Sequence, residues 1–505
     1  MNTKREERKR EILVLFLFFY LLGGFYMYDV IIIGAGISGA TIARELSKYK
    51  LRTIILEKEF DVATEATMAN SAIVHSGHDP KPGTLKAKFN LLGNRMYKQM
   101  STELDIPFME CGGMVLATSD EEANLIGDLY KRGIENGLKE SEIQLLSREE
   151  ILELEPNISD LVLSGLNLPT TAVTFPWEAA IANIENAMDN GVELALETKV
   201  ISITKDNFFT VKTNKKTYQG KVIINATGIF GSEVANMATK ASFETRARRG
   251  EYYVLDKDVK VANRVLYPVP TTKGKGVIIT PQYHGNTLLG PTSEFVPFED
   301  VSKTTAAGLE YIKVNSLKLL KDIPFHKVIR SFAGGRATSS TEDFVIEESS
   351  VEGFINVCGI ESPGLTAAPA IAVYVVEELV SKRLELKSKE SYNPYRKKVI
   401  RTIELSQDEL NELYKQDRNY AKMVCRCEKV TEGEIIDAIH RNCGATSIVG
   451  VKNRTKASSG RCQGGFCQSE IINILSRELE IDKTKVVYSK TDSYVLIDTT
   501  KGDFE

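Results

Sequence analysis

The stretch "YDVIIIGAGISGATIARELSKYKLRTIILEKE" (28–59) constrains the fold of this chain more than any other. Val30 to Ile33 form an unbroken apolar run, as a strand buried on both faces requires. Gly34, Gly36 and Gly39 then spell G-x-G-x-x-G. The first glycine permits a tight turn, the second lets a pyrophosphate approach the backbone, and the third lets the helix close on the strand. Ser38 stands in the first turn of that helix, whose N-terminus suits an anion. Ala40 and Ala43 keep the helix close to the sheet. Glu57 ends the second strand, 23 residues after Gly34, where an acid accepts hydrogen bonds from a ribose hydroxyl. Strand, turn, helix and acid in register predict an α/β dinucleotide-binding domain.

With 505 residues the chain can hold two or three domains. A net charge of −4 offers nothing for nucleic acid. Seven cysteines, five of them in the last quarter and four of those in two close pairs, do not form a secreted disulfide framework, and a reducing, cytoplasmic setting is expected. Residues 1–27 hold a charged "KREERKR" and an apolar "ILVLFLFFYLL". That leader falls short of the roughly 20 residues that span a bilayer and lacks a small-x-small cleavage site. It joins the buried strand without a linker, so it reads as sequence upstream of a start at Met27, with an anchor giving peripheral membrane contact, or export, as the alternatives.

Two later segments return to the nucleotide. "KVIINATGIFGSEVANM" (221–237) is a strand ending at Ala226, Thr227 and Gly228. "GFINVCGIESPGLTAAPAIAVYVVEELV" (353–380) is a strand, a turn with Gly359 and Gly364, and a long apolar helix. FAD enzymes similar to glutathione reductase and D-amino-acid oxidase use such segments, the last helix aiming its positive end at the flavin. Three glycine-marked strand ends fit FAD better than NAD. No second G-x-G-x-x-G follows, so electrons should enter from a substrate bound directly at the flavin.

Together with "ANSAIVHSGHDPKPGTLKAK" (69–88), "ARRGEYYVLDK" (247–257), "HGNTLLGPTSE" (284–294) and "SFAGGRATSSTEDFVIE" (331–347), these segments give a resemblance. The chain resembles D-amino-acid-oxidase-type flavoproteins over roughly residues 28 to 480, in the branch of glycerol-3-phosphate dehydrogenases and L-2-hydroxyglutarate oxidases. The resemblance implies a glutathione-reductase-type, Rossmann-like FAD domain over 28–385, with an inserted antiparallel-sheet substrate domain (about 80–150 and 241–330). It places the stretch bearing His75 beside the isoalloxazine. It also places Arg336, of "AGGRAT", in the substrate pocket, where a guanidinium forks two hydrogen bonds to a phosphate or carboxylate. Relatives often have proline after this arginine; here the residue is Ala337. Arg249 and Tyr252 lie on an expected strand of the substrate domain, as pocket residues or as a solvated edge. Oxidising a secondary alcohol needs a base for its proton, and His75 and His284 are the candidates. His284 reads equally as a turn residue.

The chain closes on "CRCEKV" (425–430) and "CQGGFC" (462–467). After a charged connector (386–420), a small helical module (421–482) carries Cys425, Cys427, Cys462 and Cys467, followed by a tail (483–505). Ser406/Glu409 and Thr431/Glu434 have the spacing of capping boxes, and Cys467 enters a helix. Four thiolates suit a zinc ion, two disulfides or a [2Fe–2S] cluster. The spacing resembles the bacterioferritin-associated-ferredoxin-like domain, which implies the cluster, with Arg426 and Arg461 beside it. Cys443 has no partner at ligand spacing, and Cys111 and Cys358 read as buried apolar residues. The expectation is an FAD and [2Fe–2S] dehydrogenase acting on glycerol 3-phosphate and passing electrons to a protein subunit or carrier. A 2-hydroxy acid or amino acid is the alternative substrate, and a non-catalytic electron-transfer subunit the alternative of another class.

Overall fold

The computed structural model describes residues 27–271 and 274–498; the leader and the end of the tail lie outside it. The sheet that carries the glycine turn has eight strands. Its centre is parallel: Glu193–Ala195, Thr53–Leu56, Met27–Ile33, Thr217–Asn225 and Phe354–Cys358 lie side by side. The long strand Thr217–Asn225 changes neighbours along its length. Its first half pairs with Phe209–Thr213, and its second half with Phe354–Cys358. The three glycine-marked strand ends therefore share one edge of the sheet, outside the carboxyl ends of parallel strands, where α/β folds bind ligands.

Helix Ile37–Leu46 covers this sheet, and it is almost wholly buried because small residues face the strands. Glycines set two close approaches. A Cβ on Gly39 would lie 2.0 Å from the Gly34 carbonyl, and one on Gly93 would lie 2.0 Å from that of Thr366. Gly93 thus lets helix Leu85–Leu104 seat on helix Gly364–Tyr374. Thr84 and Asp343 accept the first N–H groups of the longer helix.

The second sheet has nine strands and forms the substrate domain. It is mostly antiparallel, as expected, but Gly113–Ala117 and Val265–Pro268 pair in parallel. That pair stitches the two chain segments of the domain together. Its longest ladder joins Thr245–Leu255 to Val328–Ser339.

The C-terminal module has its own core, built on Ile435, Ile448, Val451, Ile471 and Leu475. Both expected capping boxes are present. The connector is no free tether. Arg396 is 6% exposed and donates to Glu185, which Arg441 of the module also binds at 3.2 Å. Arg401 pairs with Glu178 at 2.6 Å and Asp105 at 3.0 Å. Arg454 makes a two-pronged 2.8 Å bridge to Asp61, with both side chains nearly sealed from solvent.

Candidate active site and cysteine centre

A cavity of about 1170 Å³ opens between the two sheets. This exceeds the roughly 300–1,000 Å³ of ordinary small-molecule pockets and leaves room for a dinucleotide with a substrate beside it. Gly34, Gly36, Ser38 and Glu57 line one end. Gly34 has φ +103°, and a Cβ there would lie 2.5 Å from the Ala226 carbonyl, so the turn tolerates no side chain. Glu57 accepts from the Ala35 and Glu59 N–H groups, which fixes its carboxylate at the cavity wall. Ala226, Thr227 and Gly228 line the cavity as well, and so does Gly364, which opens its helix there. The cavity thus has a glycine cradle, an acid in ribose position and a helix N-terminus, and these fit FAD. Gly39 and Gly359 pack the turns behind the wall and do not line it; a Cβ on Gly359 would meet that of Ser339 at 2.6 Å.

Arg336 reaches the cavity from strand Val328–Ser339. Its position follows from the glycines before it: a Cβ on Gly334 would lie 2.4 Å from Ala69, so the strand presses directly on the loop at 69–72. The guanidinium donates to the carbonyls of Thr292 (2.7 Å), Arg249 (3.3 Å) and Arg248 (3.4 Å). Burial lowers its pKa below the ordinary value. Among the described residues it has no carboxylate within 4.0 Å, whereas the other solvent-withdrawn cations of the wall do. Arg248 and Lys86 share Glu361, Arg249 holds Glu294 and Glu251, and Lys275 holds Asp79. Burial alone would raise Glu361, but Lys86 and Arg248 pull it below the usual carboxylate range. Arg249 is therefore committed to ion pairs. Tyr252 lines the cavity, stacked on Phe332 at 4.7 Å, with its hydroxyl 3.3 Å from Ser71.

His75 lines the same cavity. Its ring is held at both nitrogens, with the Tyr267 hydroxyl 3.2 Å from Nδ1 and the Ser362 hydroxyl 3.3 Å from Nε2. Burial, helped by Lys275 and His78, holds its pKa well below the ordinary histidine value, so it is neutral at pH 7. His284 is elsewhere. Its hairpin turn projects toward the module, and the ring packs edge-on against Phe175 at 4.7 Å. There it lines a cleft of about 270 Å³ with Lys257, Arg401 and Lys456. Burial and those three cations depress its pKa to about 3. The structure brings Arg336, His75 and Tyr252 together and leaves His284 outside. Lys275, Tyr267 and Ser362 escaped the sequence reading. Only Lys275 had a local signal, its place between two glycines in "GKG" (274–276).

The four cysteines of the module come together as two pairs, Cys427 with Cys462 and Cys425 with Cys467. The thiols of Cys427 and Cys462 lie 3.6 Å apart. A disulfide needs about 2.04 Å. Two thiolates on one tetrahedral metal at about 2.3 Å lie roughly 3.7 Å apart. A hydrogen bond from the Cys425 thiol, with the Ser458 hydroxyl 3.3 Å away, draws the pKa of the Cys467 thiol down to about 6. Among the described residues no three such ligands gather around a single ion. Two pairs of thiols suit a two-iron cluster better than one zinc. Cys467 stands at the start of helix Gln468–Glu478, as expected. Arg426 is exposed, whereas Arg461 is drawn to Asp256 (3.0 Å) and Asp258 (3.4 Å) of the substrate domain. Cys443 is buried beside Arg454; Cys358 is buried, but Cys111 is only partly so.

The substrate domain and the module also meet directly. Lys257 Nζ donates to the Cys427 carbonyl at 2.9 Å and pairs with Glu428 at 3.2 Å. Tyr252 in the cavity wall and Lys257 are five residues apart in sequence, so their Cα atoms are at most about 18 Å apart.

Comparisons with known proteins agree with this geometry. Residues 29–378 match the DAO model, FAD dependent oxidoreductase, and 423–477 match the BFD-like [2Fe-2S] binding domain. Glycerol 3-phosphate dehydrogenase of Caloramator mitchellensis is 45% identical over 482 residues, covering 95% of this chain and 100% of that protein. Glycerol 3-phosphate oxidase of Mycoplasma genitalium is 34% identical, over 72% of this chain and 97% of its own. The dithionite-reduced L-α-glycerophosphate oxidase of Mycoplasma pneumoniae with FAD bound superposes with a TM-score of 0.70 at 32% identity, over 73% of this chain and 98% of that one.

Proposed function

Because the chain belongs to the DAO family of FAD-dependent oxidoreductases and carries a BFD-like [2Fe–2S] binding domain, we propose that it oxidises glycerol 3-phosphate to dihydroxyacetone phosphate and delivers the electrons to a protein acceptor. One observation carries the substrate: Arg336 is a half-buried guanidinium in the cavity, and among the described residues it has no carboxylate within 4.0 Å. Its free donors suit a doubly charged phosphate, and burial strengthens that attraction. The full-length match to a glycerol 3-phosphate dehydrogenase supports phosphate over carboxylate.

When bound, the flavin supplies hydride acceptance and the cluster one-electron transfer. The protein's part is position and proton. Arg336 would anchor the phosphate. Neutral His75, steadied by Tyr267 and Ser362, would take the hydroxyl proton. The Gly364 helix would turn its positive end to the flavin. The four thiols would hold the cluster, and they favour a reducing, cytoplasmic setting.

The test is an anaerobic visible spectrum of the purified protein with glycerol 3-phosphate added. Flavin bands should bleach first and the iron–sulfur absorbance later. Bleaching only with 2-hydroxyglutarate or an amino acid would overturn the substrate. Cys462→Ser should keep flavin bleaching and lose onward transfer.

A further inference from the structure

We propose that the edge of the module carrying Cys427 and Cys462 is the docking face for a small acidic redox protein. This rests on the reading above, in which the cluster passes electrons onward. The four thiols are not equally accessible. Cys425 and Cys467 are 1% and 2% exposed within the core of the module, whereas Cys427 and Cys462 are partly open. A partner can approach the cluster site closely only on the open side. That side carries an exposed large apolar group: Phe466, between Cys462 and Cys467, is 88% exposed. An exposed aromatic ring flanked by charged residues is the composition of a protein-docking centre.

The surrounding charge selects the partner. Arg426 is exposed and in no ion pair among the described residues. Arg461, Lys257 and Lys327 stand nearby, their side chains 60%, 33% and 39% exposed. Of the carboxylates they touch, Asp256 and Glu428 are buried, and only Asp258 reaches solvent appreciably. A chain with a net charge of −4 thus shows a cationic rim around its open thiol pair. Such a rim attracts an acidic partner and repels a basic one.

The test uses the full-length holoprotein with an acidic plant-type [2Fe–2S] ferredoxin and with basic cytochrome c as probes. Binding is read by calorimetry at low and at physiological salt. Ferredoxin should bind, and its affinity should fall about tenfold as salt screens the charges. Phe466→Ala, Arg426→Glu and Lys327→Glu should each weaken it about tenfold, with the iron–sulfur absorbance unchanged. Lys327 lies far in sequence from any thiol, so its variant decides if Arg426→Glu loses the cluster. Equal binding of both probes, no binding of either, or affinity untouched by Lys327→Glu and Phe466→Ala would overturn the proposal. Flavin bleaching by glycerol 3-phosphate, measured on the same sample, tests the underlying reading separately. Bleaching without ferredoxin binding would sink the docking face alone.

Discussion

The wall of the cavity and the seam beneath the module use arginine in opposite ways. At the seam, Arg454 is nearly sealed from solvent and gives both prongs to Asp61, with further bonds to the Cys443 carbonyl. In the cavity, Arg336 donates to three carbonyl oxygens and, among the described residues, to no carboxylate. The first arrangement completes itself and holds two units together. The second stays open to an anion, which the proposed function assigns to the substrate phosphate. Burial alone does not separate structural from functional cations; the presence of a resident carboxylate does.

The sharpest way to break this contrast is to remove Asp61. Asp61→Ala strands the Arg454 charge in the seam and should cost about 3–5 kcal/mol. Chemical denaturation should show the module loosening, and an unchanged midpoint would refute the structural role. Arg336→Lys keeps the charge but loses the fork. It should lower kcat/KM by about 100-fold, near 2.7 kcal/mol, while leaving the denaturation midpoint almost unmoved. A stability loss rivalling that of Asp61→Ala would merge the two classes.

A third prediction concerns acid. His75, His78 and His284 all have folded pKa values lowered mainly by burial, His78 to about 4 and His284 to about 3. The unfolded chain therefore binds more protons than the folded one below the ordinary value of 6.5. Stability should be complete above that pH and fall as the pH drops toward the folded values, by at most about 1.4 kcal/mol per pH unit for each histidine. Thermal unfolding between pH 7.5 and pH 5 should show it, and His284→Gln should reduce the slope without altering flavin bleaching. The smallest effect belongs to Ser406→Ala. It removes an exposed capping box on the connector helix and should cost about 1 kcal/mol or less, locally, by hydrogen exchange.

Local chemistry was readable from sequence. The glycine turn, Glu57, the capping boxes and the cysteine pairs are each written within a few neighbouring residues. What escaped depends on distant segments meeting. The Tyr267 hydroxyl and His75 are 192 residues apart, and Arg454 and Asp61 are 393. No periodicity encodes such a pairing. His284 shows the same gap: its turn looked like a pocket element, but the docked module claims it. The parallel pairing of Gly113–Ala117 with Val265–Pro268 was hidden too, since neither strand is long enough to reveal its neighbour.

Strand Thr245–Leu255 has a last consequence. Its second half sets Tyr252 in the cavity, and the residues just past its C-terminal end set Lys257 on Cys427. Because side chains alternate across a strand, a slip of one residue against Val328–Ser339 would turn every group on it to the opposite face. Pocket and docking seam would fail together.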